Sequence, residues 1–149
     1  MPAVVPITYE ALESAFQWSS SGAPYENEAF LSRETGEVFF KSMSGDLEED
    51  LPEDIEDGAL YIAAPHKNDL DLGRSLVFEF VEDEAPSHLR TVESFFRQRG
   101  AYAKFKALLE RVHLLERWYE YEARATRSAL ERWALANGFA VVRGLTSDA

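Results

Sequence analysis

The sequence predicts an α+β fold, with strands early in the chain and helices late. Three observations lead to it. Between Ala29 and Pro65 the apolar residues come in short aromatic and β-branched runs divided by turn residues, the pattern of an antiparallel sheet. From Leu70 onward they recur every three or four residues, the pattern of amphipathic helices. A chain of 149 residues can bury one good core but is short for two ordinary domains. The expected architecture is an N-terminal helix and a small antiparallel sheet of about three strands, packed on a C-terminal bundle of about four helices. Residues 8–142 read as a single α+β domain, with 1–7 and 143–149 as flexible ends.

Thr8 is placed to cap the first helix, with Glu10 in the first turn at the positive end of the helix dipole. Leu12, Ala15, Phe16 and Ser19 share one face of that helix, Tyr9 and Trp18 lie at its edges, and the run from Ser19 to Pro24 ends it. Ala29–Ser32 and Glu37–Lys41 then form a hairpin around Arg33-Glu34-Thr35-Gly36, with Gly36 taking the positive-φ position. Val38 and Phe40 fall on one face and Phe39 on the other. The run ending at Pro65 reads as a third strand. Asn68 or Asp69 can cap the next helix, whose inward face is Leu70, Gly73, Leu76, Val77, Phe80 and Val81. A third helix from Ser87 turns Leu89, Val92, Phe95 and Phe96 inward and ends at Arg99-Gly100.

The formal net charge is −12, and it is unevenly spread. Residues 1–84 carry 20 acidic and 4 basic side chains; residues 85–149 carry 7 and 11. A free nucleic acid would meet attraction only from the second half. The most acidic stretch, Asp46–Asp57, holds eight carboxylates and no base, and Glu48, Glu49, Asp50, Glu53, Asp54, Glu56 and Asp57 are its candidate partner surface. It lacks the ligand spacing of a calcium loop, and its plain reading is a solvated loop anchored by Leu47, Leu51 and Ile55. With no cysteine, a disulfide scaffold and a thiolate metal site are excluded. The opening MPAVVPITYE lacks the basic region of a signal peptide, and no apolar run reaches the length of a membrane span, so a cytoplasmic location is expected.

Arg97 to Gly138 is the expected spine. Ala101, Phe105, Leu108, Leu109 and Val112 make a clean apolar stripe, and Arg97, Lys104, Lys106 and Arg111 edge it. Basic stems in that position cover the core margin with their methylenes; the alternative is a phosphate-binding rim around Gly100. In the last helix Leu115, Trp118, Tyr119, Thr126, Ala129, Leu130 and Trp133 are read as the inward face. Glu122 interrupts it, and a carboxylate on an apolar face must be paired, protonated or turned to a cavity. Arg99 is its expected partner; the alternative is a pocket carboxylate beside Trp118 and Tyr119, serving as general acid or base.

No other pattern carries a chemistry. His66, His88 and His113 fall in three elements without ligand spacing, and read as surface, cap or helix-end residues. There is no phosphate loop and no nucleophile elbow. No metal and no cofactor is expected.

The hairpin FLSRETGEVFF, the strand ending at Pro65, and a helix-rich half holding RGAYAKFKALLE, ERWYEYE and ALERWALANGF together resemble an uncharacterised bacterial protein family (UPF series, 0158). The most specific parts are Thr35-Gly36-Glu37, Arg99-Gly100-Ala101 with Phe105-Lys106, Trp118-Tyr119, and Trp133 before Asn137-Gly138. The resemblance implies a small bacterial cytoplasmic α+β domain and brings no activity or catalytic residue with it. Three functional readings follow in order. The first is a non-catalytic interaction module, binding a basic or polar protein partner through the acidic first half. The second is a nucleic-acid or nucleotide-phosphate binder at the basic rim, and the third a small enzyme built on Glu122.

Overall fold

The fold is α+β as expected, with a three-stranded antiparallel sheet early in the chain, helices after it, and a further parallel strand pair. The computed structural model describes residues 4–21, 26–42 and 51–142. The elements are β1 (Val5–Thr8), α1 (Tyr9–Ser20), β2 (Asn27–Ser32), β3 (Val38–Ser42), β4 (Tyr61–Ala63), α2 (Arg74–Glu84), α3 (Leu89–Phe95), α4 (Ala101–Arg111), α5 (Leu115–Ala136) and β5 (Phe139–Val142). Short 3₁₀ turns at Lys67–Leu70 and Pro86–His88 precede α2 and α3. Where the sequence reads as one domain, the chain divides into two compact units. One holds the residues up to Leu70 together with those from Ala129 onward; the other is Asp71–Ser128.

In the first unit, α1 starts where its cap predicts: the Ala11 N–H donates to Thr8 Oγ1 at 3.1 Å. Its buried residues are Leu12, Ala15, Phe16 and Ser19. Strand β2 is central in the sheet order β3-β2-β4, with both pairings antiparallel. Its run Ala29-Phe30-Leu31-Ser32 is buried on both faces rather than in alternation, with α1 packed against it. Trp18 ties α1 to β3, donating from Nε1 to the Lys41 carbonyl at 3.1 Å and meeting Phe40 edge to face. Phe39 meets Tyr61 in the same way, on the side opposite to Phe40.

Two strands escape the sequence reading. Val5 to Ile7 read as part of a flexible end, yet with Thr8 they form β1, which pairs in parallel with β5, Val5 opposite Phe139 and Thr8 opposite Val142. Each strand has four residues and follows or precedes a helix directly, so neither offers the bounded alternation that marks a strand. Phe139 closes the unit. It is 1% exposed and stacks on Trp133 with ring centres 6.4 Å apart and planes 8° from parallel. Residues 1–3 and 143–149 lie outside the described residues.

The second unit is helical. Its core joins Leu76, Val77, Phe80 and Val81 of α2 to Val92 of α3, Phe105, Leu108 and Leu109 of α4, and Trp118 of α5. Phe80, Phe105 and Tyr121 surround Trp118, and the first two meet it edge to face. Helix α4 ends in a Schellman motif: the Leu114 N–H donates to the Leu109 carbonyl at 2.8 Å, and the His113 N–H to that of Glu110 at 3.3 Å. The left-handed position is His113, at φ 62°. Arg117 Nε lies 2.7 Å from Glu84 Oε1 and joins α5 to α2.

Three details differ from expectation. Helix α2 begins at Arg74, after a Gly73 cap without a side-chain bond, because Asp69 spends one oxygen on the preceding 3₁₀ turn. Helix α3 stops at Phe95, short of Arg99. On α5, Tyr119 is 46% exposed while Tyr121 packs inward. Tyr119 lies about 100° round the helix from Trp118, while Tyr121 lies about 60° to its other side, and the core of this unit is on the Tyr121 side.

Candidate binding cleft

A cleft of about 320 Å³ opens in the first unit, on the residues that follow β4. Helix α1 supplies Ser19, β2 supplies Asn27 and Glu28, the end of β4 and the segment after it supply Ala63 to His66, and the 3₁₀ turn supplies Asp69 and Leu70. Trp133, from the last turns of α5, adds an aromatic wall.

The polar groups of this lining are unequally used. His66 is 7% exposed, and its position is fixed through both its backbone and its ring. Its N–H donates to Asp69 Oδ2 at 3.0 Å, and its Nδ1 accepts from the Asn68 N–H at 3.1 Å. The ring proton therefore sits on Nε2. The Lys67 N–H donates to Ser20 Oγ at 3.0 Å and fastens the same turn to α1. Asn27 donates from Nδ2 to Ser21 Oγ at 2.8 Å, which leaves its Oδ1 facing other work. Ser19 is the exception. It is 5% exposed, and its hydroxyl has no hydrogen-bond partner. Buried hydroxyls are nearly always paired, and an orphan one on the wall of a cleft is a mark of a binding site.

The set looks like a hydrolase only in composition. A serine hydrolase needs the acid on imidazole Nδ1 and the serine on Nε2. Here Asp69 holds the backbone of His66, Nδ1 is an acceptor, and Ser19 Oγ is bonded to nothing. No three His, Asp or Glu side chains converge to hold a metal among the described residues.

The residues singled out in the sequence lie elsewhere. Arg97, Lys104, Lys106 and Arg111 are all exposed. Lys104 Nζ donates to Gln98 Oε1 at 2.5 Å, and Lys106 Nζ stands 5.7 Å from the centre of the Tyr119 ring, so the two lysines serve different neighbours. Trp118 is core, at 1% exposure, and its Nε1 has no hydrogen-bond partner. Glu122 is half-buried. Burial raises the pKa of Tyr102, the Glu122 charge raises it further, and Arg74 opposes both. Arg99 is exposed, because α3 ends before it and the chain turns away into Gly100, so the expected buried arginine is corrected.

In the acidic stretch, Glu53, Asp54, Glu56 and Asp57 are exposed around a buried Ile55. They are also fastened. Lys41 Nζ lies 3.3 Å from Glu56, and the Ala59 N–H donates to Asp57 Oδ1 at 2.9 Å. Glu48, Glu49 and Asp50 lie outside the described residues.

Sequence reasoning missed the cleft, although one signal was present. Ser19 is a polar residue on a face otherwise made of Leu12, Ala15 and Phe16, and such a hydroxyl needs a partner. The other lining residues come from separated segments that only folding brings together. His66, read as a surface, cap or helix-end residue, is buried. Family models, curated proteins and solved structures give no match to this chain. No helix among the described residues is long and apolar enough to cross a membrane.

Proposed function

We propose that this chain is a non-catalytic interaction module that binds a basic or polar partner through its acidic first half, with the Ser19–His66–Trp133 cleft as the recognition site. The observation that carries the reading is the buried, unpartnered Ser19 hydroxyl on the wall of a cleft that also holds Glu28 and Asp69. The turn residues Glu53, Asp54, Glu56 and Asp57 belong to the same acidic half and extend its field. The engaged Nδ1 of His66 and the absence of a Ser19–imidazole bond argue for binding over catalysis. Membership of the uncharacterised family, and a cytoplasmic location with it, are proposed on the motifs quoted above.

The test is a set of amide and indole chemical shifts recorded while basic, neutral and acidic peptides of equal length are added. The expected result is a response to the basic peptide at Ser19, Glu28, Asp69 and Trp133. Silence to all three peptides, or a response only of the residues around Gly100 to the acidic one, would overturn the reading.

A further inference from the structure

From the same cleft, and resting on the binding reading above, we infer the ligand chemistry: the site takes a primary alkylammonium group. Three features lead there. First, the lining is rich in unused acceptors. Among the described residues the Glu28 carboxylate makes no hydrogen bond or ion pair, Asp69 uses one oxygen on the His66 N–H, Asn27 uses only its Nδ2, and Ser19 Oγ uses nothing. Surplus acceptors call for a ligand made of donors, and an ammonium has three donors and no acceptor.

Second, among the described residues the lining contains two carboxylates and neither lysine nor arginine, and Lys41, which stands opposite Glu28 in the sheet, is paired with Glu56. Trp133 adds an aromatic ring, and a cation over an indole face gains further attraction. Third, the acceptors stand on three separate elements: Ser19 on α1, Asn27 and Glu28 on β2, and Asp69 in the 3₁₀ turn. Acceptors standing on different elements suit the diverging donors of an ammonium better than the flat fork of a guanidinium. The volume, about 320 Å³, suits a short alkyl chain along Ala63, Ala64 and Leu70 with its charged end among the acceptors.

An ammonium of this kind is carried by a free small amine or by a lysine side chain of a protein. The experiment separates the two. The full chain is titrated with n-butylammonium, with Nα-acetyl-lysine N-methylamide, with the neutral isostere Nα-acetyl-norleucine N-methylamide, and with the acetyl-arginine analogue. The Trp133 indole and Ser19 amide resonances report binding. Both amines are expected to bind, with the norleucine amide weaker by about tenfold or more and the arginine analogue intermediate. A lysine amide tighter than butylammonium assigns a protein side chain as the source, and the reverse order assigns a free amine. Glu28→Gln is expected to weaken the amines about tenfold with an unchanged melting temperature, and Ser19→Ala to weaken them less. Equal binding of the lysine and norleucine amides, or no effect of Glu28→Gln in a folded variant, overturns the inference. If peptides still perturb the cleft in that case, the binding reading stands without it; if no probe of any kind does, both fall.

Discussion

Gly36 lies against Pro6: a β-carbon on Gly36 would come 2.9 Å from the Pro6 carbonyl oxygen and 3.3 Å from Val5 Cγ1. The hairpin turn between β2 and β3 thus rests on β1, and it does so at a residue with φ 79°. Both facts forbid a side chain. Gly36→Ala is expected to lose about 2–3 kcal/mol from left-handed strain and steric overlap together. Urea unfolding should show a lower midpoint with an unchanged slope. A variant as stable as the parent would mean that the turn does not sit on β1.

The opposite substitution is favoured at His113. That residue occupies the left-handed position of the α4 Schellman motif at φ 62°, where glycine carries no steric penalty. His113→Gly is expected to stabilise the second unit by about 0.5–1 kcal/mol, the relief of strain exceeding the added entropy of the unfolded chain. Thermal unfolding reads the gain; a loss would place the helix end elsewhere.

Ser19→Ala should also stabilise, against the usual cost of a buried substitution. The hydroxyl is desolvated without a partner, and removing it eliminates a penalty of about 1 kcal/mol while leaving almost the same volume. A destabilised variant would show that the hydroxyl is satisfied in the unliganded protein.

Tyr102 supplies a pH test. Its pKa is raised from 10.0, by burial first and by the charge of Glu122 second. A raised pKa means that the folded chain holds the phenolic proton more tightly than the unfolded one. The resulting stability is complete below pH 10 and is lost as the pH climbs through the raised folded value. Glu122→Gln removes one cause and should bring the Tyr102 titration down, read as the difference in tyrosinate absorbance between chains with and without Tyr102→Phe. An unmoved titration would separate Glu122 from Tyr102.

What the sequence made legible was local. The Thr8 cap, the buried face of α1, the hairpin around Gly36 and the apolar stripes of α2 and α4 depend on residues a few positions apart, and they stand as expected. What it hid depends on residues far apart. Strand β1 is a strand because β5 pairs with it, and Glu28 meets His66 in one cleft because β2 pairs with β4. The assignment of Tyr119 to the core of α5 failed for a smaller reason. The buried side of α5 runs through Trp118, Tyr121 and Ala125, which leaves Tyr119 outside it.

The pairing of Val5 with Phe139 has a consequence for the order of events during synthesis. Asp71–Ser128 is a continuous stretch and can fold as soon as it leaves the ribosome. The first unit cannot be completed then. Its β1 is made before the helical unit and waits, with its hydrogen-bonding edge unmatched, until β5 has been made. Trp133 and Phe139 arrive in the same late segment, so the cleft acquires its aromatic wall at the moment the parallel pair closes. A chain cut short before β5 would therefore carry the acidic residues of the site but not the finished site.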